Sequence, residues 1–238
     1  MTDLSGLKGL LFDKDGTLID FNQSWLPPMK AAASLVASRA GRPELALQLL
    51  IEGGYLPEQD TWAKDSIIAF ETSDAMLKAW ANCTSPALIE SITPQIQQIV
   101  LDALHNAVPI VQDIKPLFSK FAQRYALGVA SMDDEINVNR TLCGLDLHDD
   151  IVFYCGADSG FGHKPGAGMV EAFCAHTEFS ASDVAVVGDS LHDLKMARSA
   201  GAIAIGVLSG ASSERTLADH ADYLFPDIAA LYEHLSIA

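Results

Sequence analysis

Basic residues are scarce in this sequence. Lys and Arg total 15 against 31 Asp and Glu, so the 238 residues carry a formal charge of −16 at neutral pH. Nucleic acids and anionic membranes are bound through clustered basic residues, and this balance argues against both kinds of partner. An acidic chain that binds an anionic substrate must instead build a local positive site from a metal ion, a few Lys or Arg side chains, or helix N-termini.

Cysteine and long apolar runs are scarce as well. The four cysteines, Cys83, Cys143, Cys155 and Cys174, are far apart and form no CxxC pair. We expect reduced, mostly buried thiols rather than a disulfide framework or a zinc site. No apolar run reaches the ~18 residues of a membrane span, and the first residues lack the basic and apolar regions of a secretory signal. These absences predict a cytoplasmic protein.

Short apolar runs alternate with helical patterns over the second half of the chain, and one such run stands near the N-terminus. The predicted strands are Gly9–Phe12, Tyr125–Ala130, Ile151–Phe153, Val184–Val187, Ala202–Val207 and, at the sheet edge, Tyr223–Phe225. The predicted helices between and after them are Ile114–Arg124, Asp134–Cys143, Ala167–His176, Leu191–Ala200 and Asp227–Leu235. Apolar strands that alternate with helices are typical of a parallel sheet covered on both faces. The sequence therefore predicts an α/β fold with a doubly wound parallel sheet.

The segment after the first strand has a different pattern, rich in Ala and Leu at helical spacing. It predicts helices at Trp25–Ala40, Pro43–Ile51, Ser73–Asn82 and Pro86–Asn106, the last interrupted near Pro94, and a loop at Asp60–Ser66. We therefore predict two domains. Residues 1–20 and 109–238 form the core, and residues 21–108 form a small inserted α-helical cap.

Polar residues follow the predicted strands at the points where the strands end. Asp13 and Asp15 follow the first strand, and Ser131 follows the second. Lys164 lies between the third strand and its helix. Asp189 follows the strand Val184–Val187, and Asp193 lies four residues later. Ligands of open α/β sheets collect at the carboxyl ends of the strands. We therefore expect these side chains to converge at one edge of the sheet.

Crowded carboxylates repel one another, and their pKa values rise unless a cation lies between them. Oxygen ligands with no nearby Cys or His favour a hard ion. Among hard ions, Mg²⁺ suits a site where the ion also contacts phosphate. With the ammonium of Lys164, such an ion would supply the local positive field that the acidic chain otherwise lacks.

Asp13 and Asp15 are two positions apart at a strand end. This spacing allows one carboxylate to attack phosphorus while the other reaches the leaving-group oxygen. Gly16 permits a tight turn and a close approach of the backbone to phosphate, and Thr17 could orient Asp15 or the loop.

Each piece has a simpler interpretation when it is taken alone. Asp-x-Asp-Gly is a common turn, Ser131 could be a helix N-cap, Lys164 a solvated charge, and Gly188–Ser190 a strand-to-helix cap. A calcium loop needs further oxygen ligands and a Glu downstream, which the residues after Leu18 do not supply. Taken together, in this order and at the ends of the predicted strands, these residues favour a functional site over a set of unrelated turns and caps.

Four motifs of this sequence resemble those of the haloacid dehalogenase-like hydrolases. They are Phe12–Leu18 (FDKDGTL), Val129–Ser131 (VAS), Lys164–Pro165 (KP) and Val187–Asp193 (VGDSLHD). The resemblance spans the whole chain and implies a Rossmann-like core. The helical insertion is similar to the small cap of the phosphoglycolate phosphatase-like branch.

The resemblance implies a role for each motif residue. Asp13 would be the nucleophile and a metal ligand, and Asp15 the general acid/base, with its backbone carbonyl on the metal. Lys164 would stabilise the charge on Asp13 and on the phosphate. Asp189 would bind Mg²⁺ directly, and Asp193 directly or through water.

The remaining motif positions would bind substrate. Ser131 and the amide of Met132 would hold phosphoryl oxygens, beside the loop of Gly16 and Thr17. Members of the family often have Asn where this chain has Met132, so one side-chain contact is missing here.

Asp15 decides among the reactions of the family, because a halide leaving group needs no proton and an alcohol does. We expect a phosphatase that hydrolyses a small phosphate monoester, with 2-phosphoglycolate the best single candidate. A phosphomutase of the β-phosphoglucomutase type and a catalytically inactive binding or regulatory relative are the alternatives. The protein is expected to be a monomer or homodimer.

Substrate choice is expected to lie in the cap, which should open and close over the site. Candidate contacts are Trp25, the turn Gly53–Tyr55 and the loop Thr61–Lys64, although aromatic residues there more often form the cap core.

Overall fold

The structure is a computed structural model that describes residues 4–63, 66–210 and 212–237. The chain divides into two compact units, one formed by Met1–Asp20 with Val108–Ala238 and the other by Phe21–Ala107. The second unit is thus inserted into the first between two positions that are adjacent in space, because the amide of Asp20 donates to the carbonyl of Val108 (2.8 Å).

The strands, in chain order, are β1 (Gly9–Phe12), β2 (Tyr55–Leu56), β3 (Thr61–Trp62), β4 (Ala126–Ala130), β5 (Phe153–Cys155), β6 (Val184–Gly188), β7 (Ile203–Val207) and β8 (Tyr223–Phe225). The α-helices are α1 (Phe21–Arg39), α2 (Leu45–Glu52), α3 (Ile67–Phe70), α4 (Ser73–Cys83), α5 (Pro86–Leu104), α6 (Ile114–Ala122), α7 (Glu135–Gly144), α8 (Gly168–Thr177), α9 (Leu191–Ala200), α10 (Glu214–Ala218) and α11 (Ile228–Ile237).

The main sheet of the first unit confirms the predicted α/β fold. Six strands lie in the order β5-β4-β1-β6-β7-β8, and every neighbouring pair is parallel. Counted among these six strands alone, the order is 3-2-1-4-5-6, that of the doubly wound Rossmann fold. The predicted strand at Ile151–Phe153 was wrong by two residues, because a 3₁₀ turn at His148–Asp150 precedes it and delays its entry into the sheet.

Both faces of this sheet are covered, as its apolar strands require. Adjacent strand residues point to opposite faces. Leu11 packs in a buried cluster with Phe173 of α8 and Leu194 of α9. Its neighbour Phe12 packs against Phe118 of α6, with ring centroids 5.0 Å apart. The central strand is therefore buried from both sides, and β1, β6 and β7 are buried along their whole length.

The register of β1 brings three strand ends level with one another. Phe12 lies opposite both Val129 of β4 and Val187 of β6. The chain runs from β1 to β4 on one side and later returns to β6 on the other. The carboxyl ends of β1 and β6 therefore flank the topological switch point, where open α/β sheets bind ligands.

The second unit is mainly helical and contains α1 to α5. Its predicted break near Pro94 is wrong, since α5 runs unbroken through this proline. A proline removes one backbone donor, but the buried face of α5, which includes Ile89, Ile92 and Ile96, packs against α1 and holds the helix together.

The loop predicted at Asp60–Ser66 is also partly wrong, because Thr61–Trp62 forms β3 and pairs with β2. The side chain of Asn22 fixes this hairpin by accepting hydrogen bonds from Thr61 Oγ1 (2.7 Å) and from the amide of Trp62 (3.0 Å). Residues 64 and 65 of the predicted loop lie outside the described residues.

Across the described ranges, none of the helices is both long enough and apolar enough to cross a membrane. All four cysteines are free thiols, but the expectation that most are buried was wrong. Cys155 is buried, Cys143 is exposed, and the other two are intermediate.

Candidate active site

Asp13 follows β1 directly and lies at the centre of the sheet edge. Its amide donates to the carbonyl of Val187 (2.8 Å), which continues the β1–β6 ladder by one residue and fixes the backbone there. The residue is 8% exposed. Lys164 Nζ donates to its Oδ1 at 2.5 Å. A carboxylate and an ammonium that are 151 positions apart in the chain are thus paired in the interior.

The β6–α9 turn places two further carboxylates beside Asp13. Asp189 follows Gly188, and Ser190 is the N-cap of α9 in a capping box with Asp193. Asp193 Oδ2 accepts from the amide (3.1 Å) and hydroxyl (2.6 Å) of Ser190, and its Oδ1 accepts from Lys164 Nζ (2.6 Å). Gly188 is required here, because an added Cβ would lie 2.3 Å from Asp193 Cγ.

The three carboxylates form a compact buried cluster. Asp13, Asp189 and Asp193 each offer an oxygen within 4.8 Å of the others, and all three residues are buried. Lys164 is the ammonium paired with two of them, and its side chain is 2% exposed. When all four groups are ionised, they leave a formal charge of −2 in the interior.

The electrostatics of the cluster follow from this excess of negative charge. Burial raises the pKa of Asp13 from 3.8 to about 7, with Lys164 opposing the rise and Asp193 and Asp15 adding to it. Burial by itself would lower the pKa of Lys164, but pairing with Asp13 and Asp193 raises it above its usual value. An all-oxygen cluster that lacks two positive charges fits a hard divalent cation such as Mg²⁺.

Asp15 stands outside this cluster and belongs to a second charged group. Its Oδ2 lies 2.8 Å from Lys14 Nζ, and the same ammonium lies 3.2 Å from Asp133 Oδ2. Lys14 is 1% exposed. Burial would lower the pKa of Lys14, but Asp15 and Asp133 raise it, and burial raises the pKa of Asp133.

Ser131 lies at the end of β4 and is buried. Its amide donates to the carbonyl of Cys155 (3.1 Å), and its hydroxyl accepts from the amide of Asp133 (3.1 Å). The N-cap of α7 is Asp134, so the alternative interpretation of Ser131 as that helix's N-cap is wrong. Met132, between them, is partly exposed.

Gly16 and Thr17 complete the loop after β1. Gly16 has φ = 79°, and an added Cβ would meet Asp189 Oδ2 at 2.8 Å, so both conformation and space require glycine. Thr17 is fully buried, and within the described part of the chain its hydroxyl has no hydrogen-bond partner.

The sequence did not indicate three parts of this site. Lys14 and Asp133 appear as ordinary charged residues in loops, although both are buried here. The loop after β7 also reaches the site: Ser209 Oγ donates to the carbonyl of Gly16 (2.8 Å), and an added Cβ on Gly210 would lie 2.0 Å from Asp189 Oδ2. The Ser-Gly pair at the end of an apolar strand was the available signal.

The candidate substrate contacts of the second unit are buried within the fold. Trp25, Tyr55 and Trp62 are 7%, 8% and 4% exposed. The rings of Tyr55 and Trp62 pack edge to face across the hairpin, 5.8 Å apart. Lys64, the last residue of the predicted loop, lies outside the described residues.

Known proteins resemble this chain in sequence and in fold. Residues 10–207 match the family described as Haloacid dehalogenase-like hydrolase. A curated relative, "Probable phosphatase IndB" of Dickeya dadantii (strain 3937), is 27% identical over 203 residues, which are 84% of this chain and 81% of that protein.

Two solved structures show the same fold at low sequence identity. One is described as a predicted phosphoglycolate phosphatase from Haemophilus somnus 129PT, with a TM-score of 0.76, 18% identity, and coverage of 98% of this chain and 100% of that one. The other is a candidate beta-phosphoglucomutase from Thermotoga maritima, with a TM-score of 0.69, 17% identity, and coverage of 98% and 100%. With the match over residues 10–207, the chain belongs to the haloacid dehalogenase-like hydrolases.

Proposed function

We propose that this chain is a magnesium-dependent phosphatase that hydrolyses a small phosphate monoester through an aspartyl phosphate on Asp13. The observation that carries the proposal is the buried cluster of Asp13, Asp189, Asp193 and Lys164 at the carboxyl ends of β1 and β6. A nucleophile, an ammonium and a set of oxygen ligands meet there at the ligand-binding edge of the sheet.

In the first step, a carboxylate oxygen of Asp13 attacks phosphorus while the bond from phosphorus to the ester oxygen breaks. Asp15 donates its proton to the departing alcohol. In the second step, Asp15 accepts a proton from water, the water oxygen attacks phosphorus, and the bond from Asp13 to phosphorus breaks to release phosphate. Lys164 holds the Asp13 carboxylate in place through both steps.

Asp13, Asp189, Asp193 and the backbone carbonyl of Asp15 are the groups that would hold Mg²⁺. When bound, Mg²⁺ neutralises phosphate oxygens and favours the ionised form of Asp13. Both carboxylate oxygens of Asp193 are engaged by Ser190 and Lys164. This arrangement supports a role for Asp193 in orienting the lysine, besides the contact that it would make with the ion directly or through water.

The phosphoryl oxygens would be held by Ser131, by the amide of Met132 and by the loop of Gly16 and Thr17. The second unit, inserted between Asp20 and Val108, would act as the cap that sets substrate choice, and 2-phosphoglycolate is the best single candidate. A panel of phosphate monoesters, assayed for released phosphate, would identify the ester.

A phosphomutase is the second candidate, since the solved structures of this fold include a candidate beta-phosphoglucomutase. Its two half-reactions would use the same Asp13 and Asp15. Inorganic phosphate as the main product favours the phosphatase, whereas transfer to a second hydroxyl of a sugar phosphate would favour the mutase.

The direct test uses purified protein with p-nitrophenyl phosphate or acetyl phosphate and Mg²⁺. We expect hydrolysis that stops on addition of a chelator and is abolished by Asp13→Asn. Asp149→Asn is the control, because it makes the same Asp-to-Asn change at a side chain that is 95% exposed. Hydrolysis that survives Asp13→Asn, or that is indifferent to the chelator, would overturn the mechanism, and inactivity of the wild-type protein would support a binding or regulatory role.

A further inference from the structure

Lys14 separates the two carboxylates of the first motif, and its ammonium is almost completely buried. The side chain is 1% exposed and lies between Asp15 (2.8 Å) and Asp133 (3.2 Å). Removing an ammonium from water is costly unless it is well paired. We therefore ask what the burial of this ammonium between two carboxylates does for the site.

Asp133 is held more rigidly than Asp15. Its Oδ1 accepts from Asn137 Nδ2 (2.6 Å) and from the amide of Asp134 (2.8 Å), while its Oδ2 faces Lys14. Its own amide donates to Ser131 Oγ (3.1 Å). The side chain of Asp15 is 20% exposed, against 5% for Asp133. Asp133 is therefore the more rigidly held carboxylate. Lys14 pairs with both carboxylates and so fixes the position of Asp15 relative to Asp133.

We propose that Lys14, anchored by Asp133, is a positioning residue that holds the Asp15 carboxylate in the orientation needed to protonate the leaving group. The ammonium engages Oδ2 of Asp15 and so limits the rotation of this carboxylate. The same anchor ties the loop after β1 to the loop of Ser131, so the acid and the phosphate-binding serine keep a constant separation. This inference rests on the proposed phosphatase function.

The consequence of this role is a dependence on the leaving group. p-Nitrophenol departs from phosphorus with little need of a proton, whereas phenol needs one, and the two esters have nearly the same shape. A misplaced Asp15 should therefore slow phenyl phosphate more than p-nitrophenyl phosphate. The kcat/KM value reports the steps up to departure of the leaving group and excludes the later attack by water.

The test compares kcat/KM for the two esters in the double variant Lys14→Met/Asp133→Asn. Removing both charges leaves neither partner as an isolated buried ion. The control is Lys8→Met/Asp183→Asn, which removes another Lys–Asp pair, 2.8 Å apart against 3.2 Å for Lys14 and Asp133. Lys8 and Asp183 immediately precede β1 and β6, at the opposite ends of the strands from the site.

We expect the ratio of kcat/KM for p-nitrophenyl phosphate to that for phenyl phosphate to rise about tenfold or more in this double variant, because a misplaced Asp15 loses part of the ~10²–10⁴-fold that general acid–base catalysis contributes. The control should keep the wild-type ratio. An equal fall for both esters, or no fall, would show that Lys14 has only a structural role and would overturn the inference.

Circular dichroism shows first whether the double variant folds. If it does not, Asp133→Asn alone keeps the Lys14–Asp15 contact but weakens its anchor, and a ratio unchanged from wild type in that variant would equally overturn the inference. Failure of the proposed function looks different, because the wild-type protein would then hydrolyse neither ester.

Discussion

Replacing Asp13 with Asn should abolish turnover and at the same time stabilise the metal-free protein at alkaline pH. Asn keeps the size of the side chain and an oxygen that can accept the hydrogen bond from Lys164. It removes one of three carboxylates that lie together in the interior. The structure thus predicts that the Asp13 carboxylate is costly to the fold when no cation is bound.

The magnitude follows from the pKa of Asp13, which burial raises from 3.8 to about 7. Because the folded protein binds this proton more tightly than the unfolded chain, the stabilisation is complete below pH ~4 and is lost as the pH rises through ~7. The rise from 3.8 to about 7 removes about 4 kcal/mol of stability at pH 8 and about 2 kcal/mol at pH 5.5. The buried Asn amide needs hydrogen-bond partners, and this requirement offsets about 2 kcal/mol of the stability that the variant gains.

The assay is urea unfolding followed by circular dichroism in the presence of a chelator, at pH 8 and at pH 5.5. Tryptophan fluorescence is less suitable, because all three tryptophans (Trp25, Trp62 and Trp80) lie in the inserted unit. We expect Asp13→Asn to be about 2 kcal/mol more stable than wild type at pH 8 and about equal to it at pH 5.5. The exposed Asp149→Asn should show neither difference.

Addition of Mg²⁺ should then stabilise the wild-type protein more than the variant, since the proposed ion would bind the folded state through Asp13. If the variant were less stable than wild type at pH 8 without metal, the argument that the cluster holds excess negative charge would be wrong. A stability difference that did not change with pH would refute the assignment to this carboxylate.

Two further predictions concern residues around the cluster. Gly210→Ala should raise the Mg²⁺ concentration for half-maximal activity about tenfold, because its Cβ would lie 2.0 Å from Asp189 Oδ2 and would displace that carboxylate. Gly6→Ala is the control, because its Cβ would meet nothing within 4 Å. An unchanged Mg²⁺ requirement in Gly210→Ala would contradict the prediction. Thr17→Val should raise the free energy of unfolding in urea by about 1 kcal/mol, because it removes a buried hydroxyl that has no partner among the described residues. A lower stability would show that this hydroxyl is hydrogen-bonded.

The sequence by itself determined the parts of the fold that depend on local pattern. The apolar run at β1 was predicted with both its bounds, and so was α9, whose start is marked by Ser190 and whose end is marked by Gly201. Because parallel strands end at one edge of a sheet, the positions of Asp13 and Asp189 after two apolar runs were enough to expect them as neighbours. The family resemblance added the roles, which remain predictions.

Only the tertiary structure decided the elements whose stability comes from distant contacts. Proline at position 94 predicts a break, but the buried face of α5 outweighs the loss of one backbone donor. Thr61–Trp62 is a strand because Asn22, about 40 residues earlier in the chain, accepts hydrogen bonds from it.

Within the site, the burial of Lys14 likewise depends on a contact with a residue that is distant in the chain. Its neighbours in sequence indicate a solvated lysine in a turn, because the adjacent Asp15 supplies only one of the two carboxylates that pair with the buried ammonium. Asp133, which makes the burial possible, lies after another strand and reaches Lys14 only because β1 and β4 are adjacent in the sheet. The cost of burying a charge depends on partners that folding brings together, and local sequence does not contain that information.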